Sequence, residues 1–467
     1  MTNEDGHSRD AHLIRAYPLF VSLLFLIFTP IAVIYTEEWG FFENLRQILT
    51  SPCPLVTDYF AVGGLGSTLF NAAICGLLAN LIIYVSRAQT NATILAGYML
   101  IVAHCFYGLN FINMWPPFFG VLLYCVLMKK PLSKNIHVSF FATALAPFVS
   151  EVLFRYSIGT FDASVTKVNW IGILLALVCG VAVGFVVPAL LPGMAAMHRG
   201  YSLYKAGLAI GILGIFIYSF MYSTLGVTDP GVIVIENPEY YALRYSYRGF
   251  MNIFFSVLFG LTLILGLIFR RGRIGEYREL IKCTGYGTDF TDKFGMPLCM
   301  INIALYGFAI MAYLNIIFIL PEIFPGLPLG VGFTGPTVGV VFAALTFAAD
   351  GQHPRNVFPI VVGYALLFVA VVLICLITGF DIPWTLSTQA YINGLAFATG
   401  LCPIAGKYGF GYGVLAGLMS AMICTVTADM HGGFVLYNGG LTAGLVALVL
   451  IPILDFYKVE PKHADDI

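Results

Sequence analysis

The sequence is short of charge. Only 10% of its 467 residues are Asp, Glu, Lys or Arg, where a soluble globular chain carries about 25%. A soluble enzyme is excluded on that ground. The 23 basic and 24 acidic side chains nearly cancel, to a net charge of −1, so no basic surface is available for a nucleic acid. Walker A, GxSxG and HExxH patterns are missing, and so is a His-rich loop. Those spacings supply the phosphate cradle, the strained nucleophile and the zinc ligands of the commonest hydrolases. None of the ten cysteines forms CxxC, and most lie in apolar runs. They read as small hydrophobes, with no zinc site and no disulfide framework. No cofactor is implied.

What is abundant is apolar surface. Hydrophobic residues make up 59% of the chain, and mean hydropathy is +0.89. A membrane span needs about 20 apolar residues, so about fourteen spans would use about 280 of them. Apolar runs lie near 14–36, 58–85, 91–109, 113–128, 137–157, 168–190 and 200–224, then near 248–269, 293–320, 326–349, 357–380, 386–405, 409–428 and 433–454. Runs of this length satisfy their backbone in lipid as helices. The pattern predicts an all-α polytopic membrane protein of fourteen helices. Residues 1–226 and 248–467 form its two halves, and a polar linker, 227–247, joins them. With the N-terminus in the cytoplasm, 18 of the 23 basic residues fall on inside loops. Arg46, Arg155, Lys167, Arg244 and Arg248 fall outside. This obeys the positive-inside rule and predicts a cell-membrane protein with both termini cytoplasmic.

The halves are related. Residues 197–211 read MHRGYSLYKAGLAIG and residues 430–444 read MHGGFVLYNGGLTAG, identical at eight of fifteen positions and offset by 233. Upstream, Thr57-Asp58, Gly64, Asn71, Ala73 and Gly76 match Thr288-Asp289, Gly295, Asn302, Ala304 and Gly307. Weaker matches pair Pro117 and Gly120 with Pro336 and Gly339, and Gly184 and Pro188 with Gly400 and Pro403. The runs at 91–109 and 409–428 find no partner. A repeat of seven spans re-enters the membrane upside down, so the halves are expected to form an inverted repeat, as in many transporters.

Several residues are candidates for function. His198 and His431 begin the repeated motif, Tyr204 and Tyr437 close it, and Asn438 replaces Lys205 in the second copy. Polar groups beside the free N–H groups of a helix start suit an anion or carboxylate; a structural cap is the alternative. Asn71 and Asn302 are amides inside apolar runs, able to bind a polar solute or to cross-link helices. Glu151, with Arg155 four residues on, is a candidate ion-coupling group or a plain ion pair. GxxxG spacings, such as Gly207/Gly211 and Gly440/Gly444, favour close helix packing. The segments 321–339 and 400–413 have the Gly/Pro interruptions of broken helices, which expose backbone to a central site. Asp429 and Lys407 read as solvated edge charges.

At Pro403-Ile404-Ala405-Gly406, His431-Gly432-Gly433 and Leu436-Tyr437-Asn438, the chain resembles a family of uncharacterised bacterial multi-pass proteins, domain of unknown function 1576, which look like tandem copies of one unit. The resemblance implies a membrane location and no activity. The residues themselves lead us to expect a secondary transporter for a small polar or anionic solute. Asn71, Asn302, His198, Tyr204, His431, Tyr437 and Asn438 are expected at its site. A channel-like facilitator is a second class. An integral membrane enzyme is a third, with Asp429 and His431 as its only candidate cluster.

Overall fold

A computed structural model describes residues 3–155, 168–226 and 238–463. Lys167 and residues 227–237 of the expected linker lie outside the described residues. Residues 238–247, read as linker, belong to a helix.

Among the described residues the chain is helical and no sheet forms. The first half comprises α1 (Asn3–Thr36), α2 (Phe41–Thr50), α3 (Tyr59–Val85), α4 (Ala92–His104), α5 (Trp115–Leu127), α6 (Ile136–Ala142), α7 (Ala146–Phe154), α8 (Trp170–Met197) and α9 (Lys205–Tyr218). The second comprises α10 (Pro238–Phe269), α11 (Tyr277–Leu280), α12 (Phe290–Phe294), α13 (Met296–Ile323), α14 (Gly335–Leu345), α15 (Pro354–Thr378), α16 (Gln389–Ala398), α17 (Cys402–Tyr408), α18 (Phe410–Ile423) and α19 (Asn438–Phe456). Each of the fourteen apolar runs has a helical rod, with α6–α7 and α16–α17 each forming one. Among the described residues nine rods are long and apolar enough to cross a membrane. The protein is a polytopic membrane protein. The rods α4, α5, α14 and α18 have only 13, 13, 11 and 14 residues. At 1.5 Å per residue they measure about 16–21 Å, less than the hydrocarbon core of about 30 Å.

The two halves repeat one plan. In each, a long helix (α1, α10) packs along the next (α3, α13). A glycine at positive φ breaks the helical path early in each, Gly64 (77°) within α3 and Gly295 (81°) between α12 and α13. Only glycine takes that conformation without a Cβ penalty. The break frees backbone donors, and Glu38 accepts from Leu65 N and Gly66 N, both at 2.9 Å. Asp10 stands against Gly295 at the matching place.

Backbone contacts supply the partners that the sequence withholds. Asn113 Nδ2 donates to the Gly108 carbonyl and Asn356 Nδ2 to the Gly351 carbonyl, so α4–α5 correspond to α14–α15. The run at 91–109 therefore pairs with α14. Gly120 lies against Val181 and Gly184, and Gly363 lies against Val414 and Gly417. The run at 409–428 therefore pairs with α8. The weak matches are corrected accordingly: Gly120 corresponds to Gly363 and Gly184 to Gly417.

Equivalent helices run antiparallel. Asp289 accepts from Ala92 N at the start of α4 (3.2 Å), beside the bond from Phe290 N to the Ala349 carbonyl after α14. Asp58 accepts from Gly335 N at the start of α14 (2.9 Å), beside the bond from Tyr59 N to the Phe106 carbonyl after α4. Helices α4 and α14 thus lie head to tail, and so do α9 and α19, which meet at Gly207 and Gly440. A twofold axis across the bundle relates the halves, as an inverted repeat requires. The interior is aromatic: Phe25 of α1 packs on Phe254 of α10 at 5.2 Å and on Phe342 of α14 at 5.4 Å. Stacked or tilted pairs at these separations add about 0.5–1.5 kcal/mol each to area burial.

Candidate functional site

The repeated motif carries a non-helical stretch ahead of α9 and another ahead of α19. Each is inserted into the other half. The Leu203 N–H donates to the Gly400 carbonyl at 2.9 Å, and the Leu436 N–H donates to the Ala144 carbonyl at 3.0 Å. Gly400 and Ala144 lie in the 3-10 turns 399–401 and 143–145, which interrupt α16–α17 and α6–α7. The interruption anticipated in 400–413 therefore begins at Thr399, and its counterpart at 143–145 has no glycine to announce it. The segment 321–339 is the end of α13, a connection and the start of α14, which Thr334 caps.

The paired tyrosines lie at the centre of this exchange. The Tyr204 ring packs on Phe347 (4.8 Å) and Phe397 (5.0 Å), and its hydroxyl donates to the Ala343 carbonyl. The Tyr437 ring packs on His104 (4.8 Å) and Phe141 (6.4 Å) at the equivalent positions. Its hydroxyl has no hydrogen-bond partner among the described residues.

Two cavities flank the crossing, and part of their lining is equivalent. The larger, of about 370 Å³, is lined by Leu203, Lys205, Ala206, Tyr286, Phe141 and Asp350, among others. The smaller, of about 60 Å³, is lined by their counterparts Leu436, Asn438, Gly439, Leu55, Phe397 and Tyr107. The larger lies at the end of the bundle where Tyr286 bonds the Arg199 carbonyl and Lys407 sits over the Tyr286 ring at 4.8 Å. The smaller lies at the other end, by the α2–α3 connection. A third cavity, of about 410 Å³, lies between α13, α14, α15 and α16, with no charged group on its walls. At the equivalent positions of the first half, Phe118 and Phe140 stand in ring contact where the second half has Val361 and Ala396.

Of these three cavities, only the larger of the flanking pair is lined by charged side chains. Lys205 opens α9, and Asp289 and Asp350 line the same space. Asp289 is committed to caps, accepting from Thr291 N at 2.8 Å and from Ala92 N. Asp350, in the connection between α14 and α15, carries no side-chain hydrogen bond or ion pair among the described residues. Burial, with Asp289 adding to it and Lys205 opposing it, pushes the Asp350 carboxyl up to about 8. Sequence reasoning singles out Lys205 only as a broken symmetry and misses Asp350. A lone carboxylate between apolar runs looks like an edge charge until its cavity is known. Asp289 is legible only as half of a matched pair.

The expected site residues divide. Tyr204 and Tyr437 line the larger cavity and Asn438 the smaller. The others line neither. Asn71 Nδ2 donates to the Cys105 and Leu109 carbonyls at 3.0 and 2.9 Å. Asn302 Nδ2 donates to the Ala348 and Gln352 carbonyls at 2.8 and 2.7 Å, and its Oδ1 accepts from Tyr277. Both amides tie the ends of α4 and α14 to their neighbours. His431 Nε2 pairs with Asn438 Oδ1 at 3.2 Å, while neither ring nitrogen of His198 has a hydrogen bond among the described residues. Position 205, equivalent to 438, offers His198 a cation instead of an amide. Glu151 pairs with Arg155 at 3.2 Å and accepts from Tyr222. Lys407, expected as a solvated edge charge, is buried. Asp429 is exposed while His431 is buried. Among the described residues no group of His, Cys, Asp and Glu could hold a metal ion.

The family model described as "Protein of unknown function (DUF1576)" matches residues 37–223 and again 270–456. The chain belongs to this family. The two matches are displaced by 233 residues, the offset of the repeated motif, and each begins just after the end of α1 or α10. No curated protein and no solved structure matches the chain.

Proposed function

We propose that the protein is a secondary transporter of a small polar or anionic solute, working by alternating access between its two halves. The observation that carries this reading is the pair of unequal cavities. Part of the lining is equivalent in the two, Leu203, Lys205 and Phe141 answering Leu436, Asn438 and Phe397, yet one holds about 370 Å³ and the other about 60 Å³. In an inverted repeat, exchanging the conformations of the halves closes the first and opens the second around a fixed centre. That centre is where Leu203 and Leu436 cross and where Tyr204 and Tyr437 lie. The present state opens at the end bearing Arg199, Lys205 and Lys407. By the distribution of basic residues that end is cytoplasmic, in a cell membrane. A continuous pore would need both cavities open together, which disfavours a channel.

Thiol labelling tests the proposal. Nine native cysteines are buried and Cys179 is half-buried, so background reactivity is low. Thr288→Cys places a thiol in the larger cavity and Asn393→Cys one in the smaller. In sealed vesicles each reacts with a membrane-impermeant reagent from one side only, and the sides are opposite. A bulky adduct at position 288 suppresses labelling at position 393. Simultaneous labelling at undiminished rates indicates a channel. No labelling at position 393 under any condition overturns transport.

A further inference from the structure

The larger cavity presents an ammonium and a carboxyl group that do not pair with each other. Lys205 and Asp350 both line it and are close enough to influence one another, yet no ion pair joins them. Lys205 is the first residue of α9, a fourteen-residue helix, and its ammonium adds to the positive end of the helix dipole. A third residue borders the same space. Tyr437 also lines the cavity; its residue is only 1% exposed and its hydroxyl is unpartnered among the described residues. The equivalent hydroxyl, on Tyr204, holds the Ala343 carbonyl. A buried hydroxyl without a partner is destabilising, so a ligand oxygen that reaches Tyr437 recovers what the fold leaves open. At the other end Asn438 and Tyr107 replace Lys205 and Asp350, so both groups belong to one cavity.

We propose that the solute is a small zwitterion, an aliphatic amine and carboxylate in one molecule. Its carboxylate is held by Lys205 Nζ, the start of α9 and the Tyr437 hydroxyl, and its ammonium by Asp350. This rests on the transport reading for its purpose, and it names the substrate class. Asp289 stands beside Asp350 but is spent on Thr291 and Ala92, so it contributes field without a free oxygen pair. An ammonium at Asp350 offsets the burial and the Asp289 charge that hold the carboxyl proton, so the bound solute selects the carboxylate form. A simple anion leaves Asp350 unanswered, and a simple amine leaves Lys205 and Tyr437 unanswered.

The test is ligand-induced thermal stabilisation of the purified full chain at pH 8. The probes are glycine, β-alanine and γ-aminobutyrate, which differ in charge separation, with butyrate and butylamine as single-charge controls. At least one zwitterion half-saturates at a concentration about tenfold or more below both controls, a difference of about 1.4 kcal/mol. In Lys205→Gln the best zwitterion binds no better than butylamine, and in Asp350→Asn no better than butyrate. Tyr437→Phe weakens zwitterion and butyrate together and leaves butylamine unchanged. Both charged residues face the cavity, and the cooperative unfolding transition of each variant without ligand checks that it is folded. The proposal is overturned if no zwitterion binds, if butyrate matches the best zwitterion, or if the preference survives in Asp350→Asn. The two-sided labelling at positions 288 and 393 does not depend on the solute's charge. Failure of the zwitterion with labelling intact removes the substrate class and leaves the transport reading standing.

Discussion

Gly207 and Gly440 occupy the same place in the two halves and touch each other: a Cβ on Gly207 would stand 2.5 Å from the Cα of Gly440. Equivalent residues in contact mark where the pseudo-twofold axis passes. Helices α9 and α19 cross there, backbone on backbone, as small residues permit in membranes.

Gly207→Ala and Gly440→Ala are each expected to lower stability by about 1–3 kcal/mol, the usual cost of overpacking. Gly193 in α8 has open space where a methyl group would stand, with nothing within 4 Å among the described residues, so Gly193→Ala serves as the control. It should be neutral or stabilising by up to about 1 kcal/mol, since alanine favours helix over glycine. Thermal unfolding in detergent compares the three.

The amides of Asn71 and Asn302 each satisfy two buried carbonyls. Replacing either by Ala strands both acceptors, and about 1–3 kcal/mol of stability is expected to go with them. Asn302→Ala should lower the unfolding temperature and the yield of folded protein. The affinity of the folded fraction for solute should not change; a change would return Asn302 to the binding site.

Only one of the paired tyrosine hydroxyls is engaged. Tyr204→Phe loses the bond to Ala343, which belongs to the state seen here, and Tyr437→Phe loses none. One hydrogen bond contributes about 1 kcal/mol, so Tyr204→Phe should shift the equilibrium about fivefold toward the state with the smaller cavity open. The readout is faster labelling at Asn393→Cys and slower labelling at Thr288→Cys. Tyr437→Phe should move neither in the absence of solute.

Asp350 makes stability depend on pH in a predictable direction. Its folded carboxyl titrates near 8 against an ordinary value of 3.8, so between those values the unfolded chain has lost a proton that the folded chain keeps. Stability attributable to this group falls as pH rises through that window and levels off above it. The unfolding temperature of Asp350→Asn relative to the native chain should therefore climb between pH 4 and pH 8. A difference that stays flat across the window places Asp350 in solvent.

Composition alone determined that this chain lives in a membrane, because 10% charge cannot solvate 467 residues. Hydropathy located all fourteen rods, and the 233-residue echo showed the duplication, because apolar runs and short identities are local properties. An odd number of spans per repeat even implied the inversion. The tertiary structure decided which helix answers which. The connections differ in length, so the register drifts from Asn71/Asn302 to Asn113/Asn356 to Thr143/Thr399 before returning at Leu203/Leu436. The positions kept in step are those where backbone meets backbone, such as Gly120 and Gly363, and apolar composition does not reveal them. Only folding could show that Asn71 and Asn302 are staples, that Lys407 is buried over a tyrosine ring, and that Lys205 and Asp350 face one cavity. Those two are 145 residues apart in sequence and on opposite halves of the repeat. The crossing of the two halves brings them together.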